Sequence, residues 1–208
     1  MRKAPRRICS SSFAAVWLLL AALNGGAAEP EATAPNSLAG QVLIAAPTIG
    51  DPRFYHAVIL MLRDDKSGAL GIVINRPVGE RSFESLLKAT GEPAVGVAGS
   101  ARVFAGGPVE PQLGFVVHTA DYRRPETLDV DGRVAMTASP KILQDIAHRH
   151  GPKQSLIAFG YAGWGPGQLA AEIARHDWFT TVAEPKLIFD DDRAGLWDEA
   201  MARRTREL

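Results

Sequence analysis

The chain has 208 residues, 46% hydrophobic and 22% charged, values that fit one globular domain with an appendage. Its 23 cations and 23 anions balance, and no basic stripe interleaved with aromatics is present, so direct nucleic-acid binding is not expected. The single cysteine, Cys9, lies near the N-terminus, which excludes disulfides, thiolate zinc sites and a cysteine nucleophile from the rest of the chain.

The appendage comes first. MRKAPRR carries Arg2, Lys3, Arg6 and Arg7 without an acid; FAAVWLLLAAL (13–23) is apolar, and small residues lead to Ala27-Ala28. Basic, apolar, small is the layout of a secretory signal peptide. The apolar run of 11 residues is too short for a permanent membrane anchor. The expected organisation is a signal peptide over 1–28, a Pro-rich linker over 29–37 and a single domain over 38–208. Removing the leader's four cations from 23 leaves 19 against 23 acids. The expected product is therefore a mildly acidic, exported, periplasmic protein. The alternative is a mis-assigned start, with a cytoplasmic protein behind it.

Within the domain, QVLIAAP (41–47), HAVILMLRD (56–64) and ALGIVINRP (69–77) are β-rich runs, the last two joined by hairpin-turn residues and the last ended by Pro77. Ser82 caps a helix, FESLLKAT, stopped by Gly91. RVFAGGP (102–108) and LGFVVHT (113–119) read as two strands joined by a Gly/Pro turn, and RVAMT (133–137) as another. Ser139-Pro140 starts a helix that Gly151-Pro152 stops. SLIAFGY (155–161) is a buried strand, GQLAAEIARHDWF a helix, KLIFD (186–190) a last strand and AGLWDEAMARR a C-terminal helix. Early hairpins and later strand–helix alternation predict an α+β fold with one mixed sheet.

Several stretches in order, LAGQVLIAAP followed by Asp51 and Phe54, GALGIVINRP, AGGPVEPQLGFVVH, and GYAGWGPGQLAAEI followed by Trp178, resemble the AlgH/YqgE family from about residue 38 to about residue 201. The resemblance implies a mixed, largely antiparallel sheet closing into a pseudo-barrel flanked by helices. It implies little chemistry: the family name comes from a proposed role in regulating alginate production, and no reaction is established for it. Members typically lack an export signal, so the leader is a departure.

No complete catalytic constellation is present. The glycine stretch around Gly163 and Gly165 lacks the GxxxxGK[ST] of a P-loop, and its GxGxG spacing is not the GxGxxG of a dinucleotide fold; a tight strand-to-helix turn that lets Trp164 pack is the expectation. No GxSxG elbow occurs. His148 and His150, two apart on a helix, point away from each other and cannot share a metal, so no metal and no cofactor are expected. His118, closing a strand with Asp121 nearby, is the best acid–base candidate. Asn75 and Arg76 end a buried strand, where an arginine can reach an anionic ligand. If the strand ends and glycine turns converge, Asn75, Arg76, Gly106, Gly107 and His118 would line one pocket, with Gly163 and Gly165 as further candidate ligand-binding residues. The functional expectation is a non-catalytic regulatory protein that binds a small anionic ligand or a protein partner. One alternative is a hydrolase of a phosphorylated or nucleotide-like substrate using His118 and Arg76; another is a cytosolic transcriptional regulator.

Overall fold

A computed structural model describes residues 37–205. The leader and all but the last residue of the linker lie outside the described residues. The chain runs β1 (Gln41–Ala45), a 3-10 turn (Pro52–Phe54), β2 (Val58–Asp65), β3 (Gly68–Val73), β4 (Pro77–Ser82), α1 (Phe83–Thr90), β5 (Ser100–Ala105), β6 (Val109–Thr119), β7 (Thr127–Asp129), β8 (Val134–Thr137), α2 (Lys141–Ala147), β9 (Ser155–Trp164), α3 (Gln168–Ala174), β10 (Trp178–Val182), α4 (Pro185–Phe189) and α5 (Leu196–Arg203). This is the expected α+β fold: one curled, largely antiparallel sheet ordered β10-β1-β2-β3-β9-β6-β8-β7, with β5 paired parallel to β9 and β4 paired to β5.

The unbroken apolar runs of β1 and β2 follow from burial on both faces. Val42, Ile44, Val58 and Leu60 point into the concave core with Phe115, Val117 and Leu156, closed by Leu187 and Ile188 of α4 and Leu196 of α5. Their neighbours Leu43, Ala45, Ile59 and Met61 face the other way, onto Trp164, Leu169 of α3 and Trp178. On the remaining flank α1 and α2 set Leu86, Leu87, Ile142 and Leu143 against Val103, Val116 and Ile157.

The sheet forks along β9. One edge of that strand pairs with β6; the other meets β5 through Ile157–Phe159 and β3 through Ala162–Trp164. Gly160, at φ +74, sits between the two branches. Here the chain leaving β5 crosses β9 to reach β6 on the opposite edge. The Gly106 N–H donates to Phe159 O at 2.7 Å, and Gly106 O accepts from the Val73 N–H at 2.8 Å. A Cβ on Gly107 would lie 2.1 Å from Tyr161 C, and one on Gly160 would lie 2.5 Å from Gly107 O. Two backbones in contact leave no room for a side chain, which is why glycines cluster at this crossing.

Several elements differ from the sequence reading. β5 and β6 are not a hairpin; Gly106-Gly107-Pro108 carries the chain over β9 rather than back along β5. Pro77 opens β4 instead of closing the strand before it. That position suits proline because β4 is an edge strand whose first N–H need not enter a ladder. β9 extends through Gly160 and Gly163 to Trp164, so the turn proper is only Gly165-Pro166-Gly167. Pro140 rather than Ser139 holds the cap position of α2, and no side chain caps it. KLIF (186–189) is helical, because Pro185 presets the first turn of α4, and Asp190 ends it. The last strand is instead WFTTV, separated from α3 by His176 at φ +62 and paired with β1. Its free side is covered by the C-terminal segment, through the Thr205 N–H to Thr180 O at 2.8 Å and Thr181 Oγ1 to Arg203 O at 2.9 Å.

Candidate functional site

The predicted residues do not converge on one pocket. Asn75 and Arg76 turn inward to brace the loop ahead of β2. Asn75 Oδ1 accepts from the Val58 N–H at 3.0 Å and its Nδ2 donates to His56 O at 2.8 Å. Arg76 donates to Arg53 O and, at 3.0 Å, to Tyr55 O, and burial lowers its pKa. Gly106 belongs to the crossing at β9, while Gly107, also there, borders a separate apolar groove with Val78, Leu86, Phe104 and Phe159. Gly165 forms the strand-to-helix turn, its N–H donating to Gln168 Oε1 at 3.0 Å. Only Gly163 lines the cavity described below.

His118 is fully buried and its polar contacts are all internal. Nδ1 is 2.8 Å from Thr119 O and Nε2 is 2.9 Å from Thr137 Oγ1. A carbonyl can only accept, so Nδ1 carries the proton and the neutral ring takes the Thr137 hydroxyl proton on Nε2. Thr137 in turn is 2.7 Å from Thr127 Oγ1, which accepts from the Arg124 N–H at 2.9 Å. Asp121 bonds Thr119 and the Lys153 N–H rather than the imidazole, so the expected carboxylate–histidine pairing is not formed. Desolvation holds the His118 pKa below the ordinary histidine value. The native state therefore binds fewer protons at this ring than the unfolded chain between its lowered native pKa and about pH 6.5. Stability supplied by neutral His118 is complete above that pH and is lost as pH falls through the lowered native pKa. Melting temperatures measured from pH 7.5 to 5 should fall on the acid side, and His118→Asn, which cannot titrate, should flatten that fall. An unchanged slope in the variant would contradict this.

The cavity with binding chemistry lies elsewhere, between α3 and the loop that Asn75 and Arg76 brace. Its volume is about 400 Å³, and its lining includes Asp51, Arg53, Phe54, Gly163, Trp164, Gln168, Glu172, Arg175, Asp177 and Trp178. Strand β9 delivers Trp164 at its last residue and β10 delivers Trp178 at its first; these are 7% and 3% exposed. Their rings meet edge to face at 5.8 Å, and Phe54 meets Trp178 edge to face at 5.4 Å. Glu172 fixes both indoles: Trp164 Nε1 and Trp178 Nε1 each donate to its Oε2 at 2.8 Å. Gln168, one helical turn earlier, donates from Nε2 to Glu172 Oε1 at 2.9 Å. Around this wall stand two guanidinium–carboxylate pairs, Arg53–Asp51 and Arg175–Asp177, each with a closest approach of 2.7 Å. The hydrogen bonds from Arg53 are the largest influence on Asp51 and lower its pKa.

Trp164 packs immediately before the strand-to-helix turn at Gly165-Pro166-Gly167, whereas Gly163 belongs to β9 rather than to the turn. Glu172, Trp178, Phe54 and the two ion pairs do not stand out in the sequence as one cluster. The available signal is Gln168 and Glu172 one turn apart on α3, four and eight residues after Trp164; joining them to Trp178 requires β10, whose residues follow on from a helical pattern.

Fold and cavity together define an α+β half-barrel protein with a prebuilt aromatic–carboxylate pocket at one end of its forked strand. A family model described as AlgH-like matches residues 42–208. A UPF0301 protein of Jannaschia sp. (strain CCS1) is 46% identical over 168 residues, 80% of this chain and 88% of that one. A second UPF0301 protein, from Rhizorhabdus wittichii, is 44% identical, with 81% and 90% covered. Among solved structures, the AlgH protein from Pseudomonas aeruginosa superposes with a TM-score of 0.68 at 35% identity, over 82% of this chain and 90% of that chain. A Corynebacterium diphtheriae protein, at 24% identity and TM-score 0.62 over 80% and 86%, shares the fold. The chain belongs to the AlgH-like family.

Proposed function

We propose that this protein is a non-catalytic ligand-binding protein whose site is the cavity between α3 and the Asp51–Phe54 loop. The observation that carries this reading is Glu172, which holds Trp164 and Trp178 through a shared carboxylate oxygen and so fixes an aromatic wall before any ligand arrives. Preorganisation of that kind favours binding because less order must be imposed on association. The lining has aromatic faces, two arginines and three carboxylates, but no hydroxyl, thiol, imidazole or amine among the described residues. That inventory suits recognition better than nucleophilic catalysis, where a nucleophile and its base stand within hydrogen-bond reach. The hydrolase alternative relies on His118, both of whose ring nitrogens are bonded inside the fold, and on Arg76, which bonds the backbone of the loop ahead of β2 and lies apart from His118's partners.

A thermal-shift screen of small metabolites tests the proposal. A ligand at one hundred times its Kd adds about 2.7 kcal/mol, which for a domain of this size is a rise of about 5 to 10 °C. A compound giving such a rise should lose it in Arg175→Ala. A stabilising ligand unaffected by changes to this cavity would place binding elsewhere, and turnover of any such compound would contradict the non-catalytic assignment.

A further inference from the structure

The unspent hydrogen-bonding capacity of the cavity lining favours one kind of ligand. Glu172 accepts three hydrogen bonds, from two indoles and Gln168. Asp51 accepts from the Arg53 backbone N–H, from Arg53 Nε and from Nη2. Asp177 accepts from Arg175 Nη2. Glu172 and Asp51 are thus matched by donors of the chain itself, and Asp177 is paired through one oxygen. The guanidiniums are not used up: Arg53 Nη1, and Arg175 Nε and Nη1, have no acceptor within the described residues. A guanidinium presents five N–H donors in a fixed fork, so each arginine can hold its aspartate and still donate to a second oxygen. The aspartates do more than neutralise. Asp51 grips Arg53 at Nε and Nη2 and so sets that fork's orientation, which spares a ligand part of the entropy of ordering a long side chain, while Asp177 tethers Arg175 at Nη2 alone. Arg76 adds to this by bonding Arg53 O and Tyr55 O, tying down the backbone on which Arg53 and Phe54 stand.

Gln168 is largely engaged: its Oε1 accepts from Gly165 and one N–H of Nε2 is given to Glu172, which leaves a single neutral N–H. The apolar part of the wall is the half-buried ring of Phe54 and the exposed margins of Trp164 and Trp178, with Ile49, Pro108 and Val109 beside them. Flat ring surface favours a flat partner through offset or edge-to-face contact. Resting on the reading of this cavity as a ligand site, we infer that its ligand is a small planar aromatic anion, with the ring system against Phe54, Trp164 and Trp178 and the anionic oxygens on Arg53 and Arg175.

The test holds the ring constant and varies the charge, using the full-length protein in low-salt buffer. Isothermal titration calorimetry is run with 2-naphthoate, neutral 2-naphthamide, cationic 2-naphthylmethylamine and the non-aromatic anion cyclohexanecarboxylate. Expected is binding of 2-naphthoate at least about tenfold tighter than the amide, since charge-assisted hydrogen bonds exceed neutral ones, and weaker binding of the other two. Arg53→Gln and Arg175→Gln should each weaken 2-naphthoate binding more than 2-naphthamide binding and so narrow the preference between them. Equal or tighter binding of the amine would overturn the anion assignment, and tighter binding of cyclohexanecarboxylate would overturn the planar one. If none of the four binds while another compound from the metabolite screen occupies the cavity, the ligand class is wrong and the binding reading stands. If no compound of either set binds there, the binding reading itself fails.

Discussion

Gly160→Ala should cost about 2–5 kcal/mol or abolish folding, measured by urea denaturation of the purified protein. Two effects add. An L-residue forced to the left-handed φ of +74 at this position costs about 1–2 kcal/mol, and forcing a methyl into a filled space costs about 1–3 kcal/mol more. The space is filled by backbone: a methyl carbon there would meet Gly107 O at 2.5 Å and Val109 O at 3.0 Å, and backbone at a strand crossing cannot swing away as a side-chain tip can. Gly132→Ala is the matched control: its φ is +76 but nothing lies within 4 Å, so only the conformational part should remain, about 1–2 kcal/mol. Equal losses in the two variants would show that the crossing is not the tight contact described.

Glu172→Ala should lose about 2–4 kcal/mol, because it strands two buried indole N–H groups at about 1–3 kcal/mol each, partly relieved where water enters. Tryptophan emission should move to the red as Trp164 and Trp178 become wetter. Glu172→Gln separates hydrogen bonding from charge. Its amide oxygen can still accept both indoles, so most of the stability should return. A Gln variant as damaged as the Ala variant would mean that the negative charge, rather than acceptance from the indoles, holds the wall.

The parts of the fold legible in the sequence are those fixed by local chemistry. The contiguous apolar residues of β1 and β2 require burial on both faces, and Ser82 and Gly91 mark the ends of α1 through a side-chain cap and a left-handed C-terminal residue. The elements that differ are those decided by distant partners. WFTTV resembles a continuation of α3 because its pairing partner, β1, lies more than a hundred residues away. Gly106 and Gly107 resemble a hairpin turn because their true neighbour, Gly160, is remote in sequence and meets them only at the crossing. The same dependence on remote contacts extends to the site. The glycine stretch shapes a turn beside Trp164, as its composition suggests, yet Glu172 gains its role only once Trp178 is brought to it by β10. Asn75 and Arg76 stand out in the sequence as strand-end polar residues; in the fold they lie behind the loop that forms the site and bond its backbone.

Ligand occupancy of the cavity walled by Trp164 and Trp178 can be read from the indole N–H signals of those two residues. In a proton–nitrogen correlation spectrum of the labelled protein, with indole signals assigned by single Trp→Phe variants, the best stabiliser from the screen is titrated in. The Trp164 and Trp178 signals should shift together and saturate along one binding curve, while the signal of the Trp197 indole, which lies on α5 and bonds Ala45 O at 2.9 Å, stays in place. A saturable shift of Trp197 with Trp164 and Trp178 unmoved would contradict binding in this cavity.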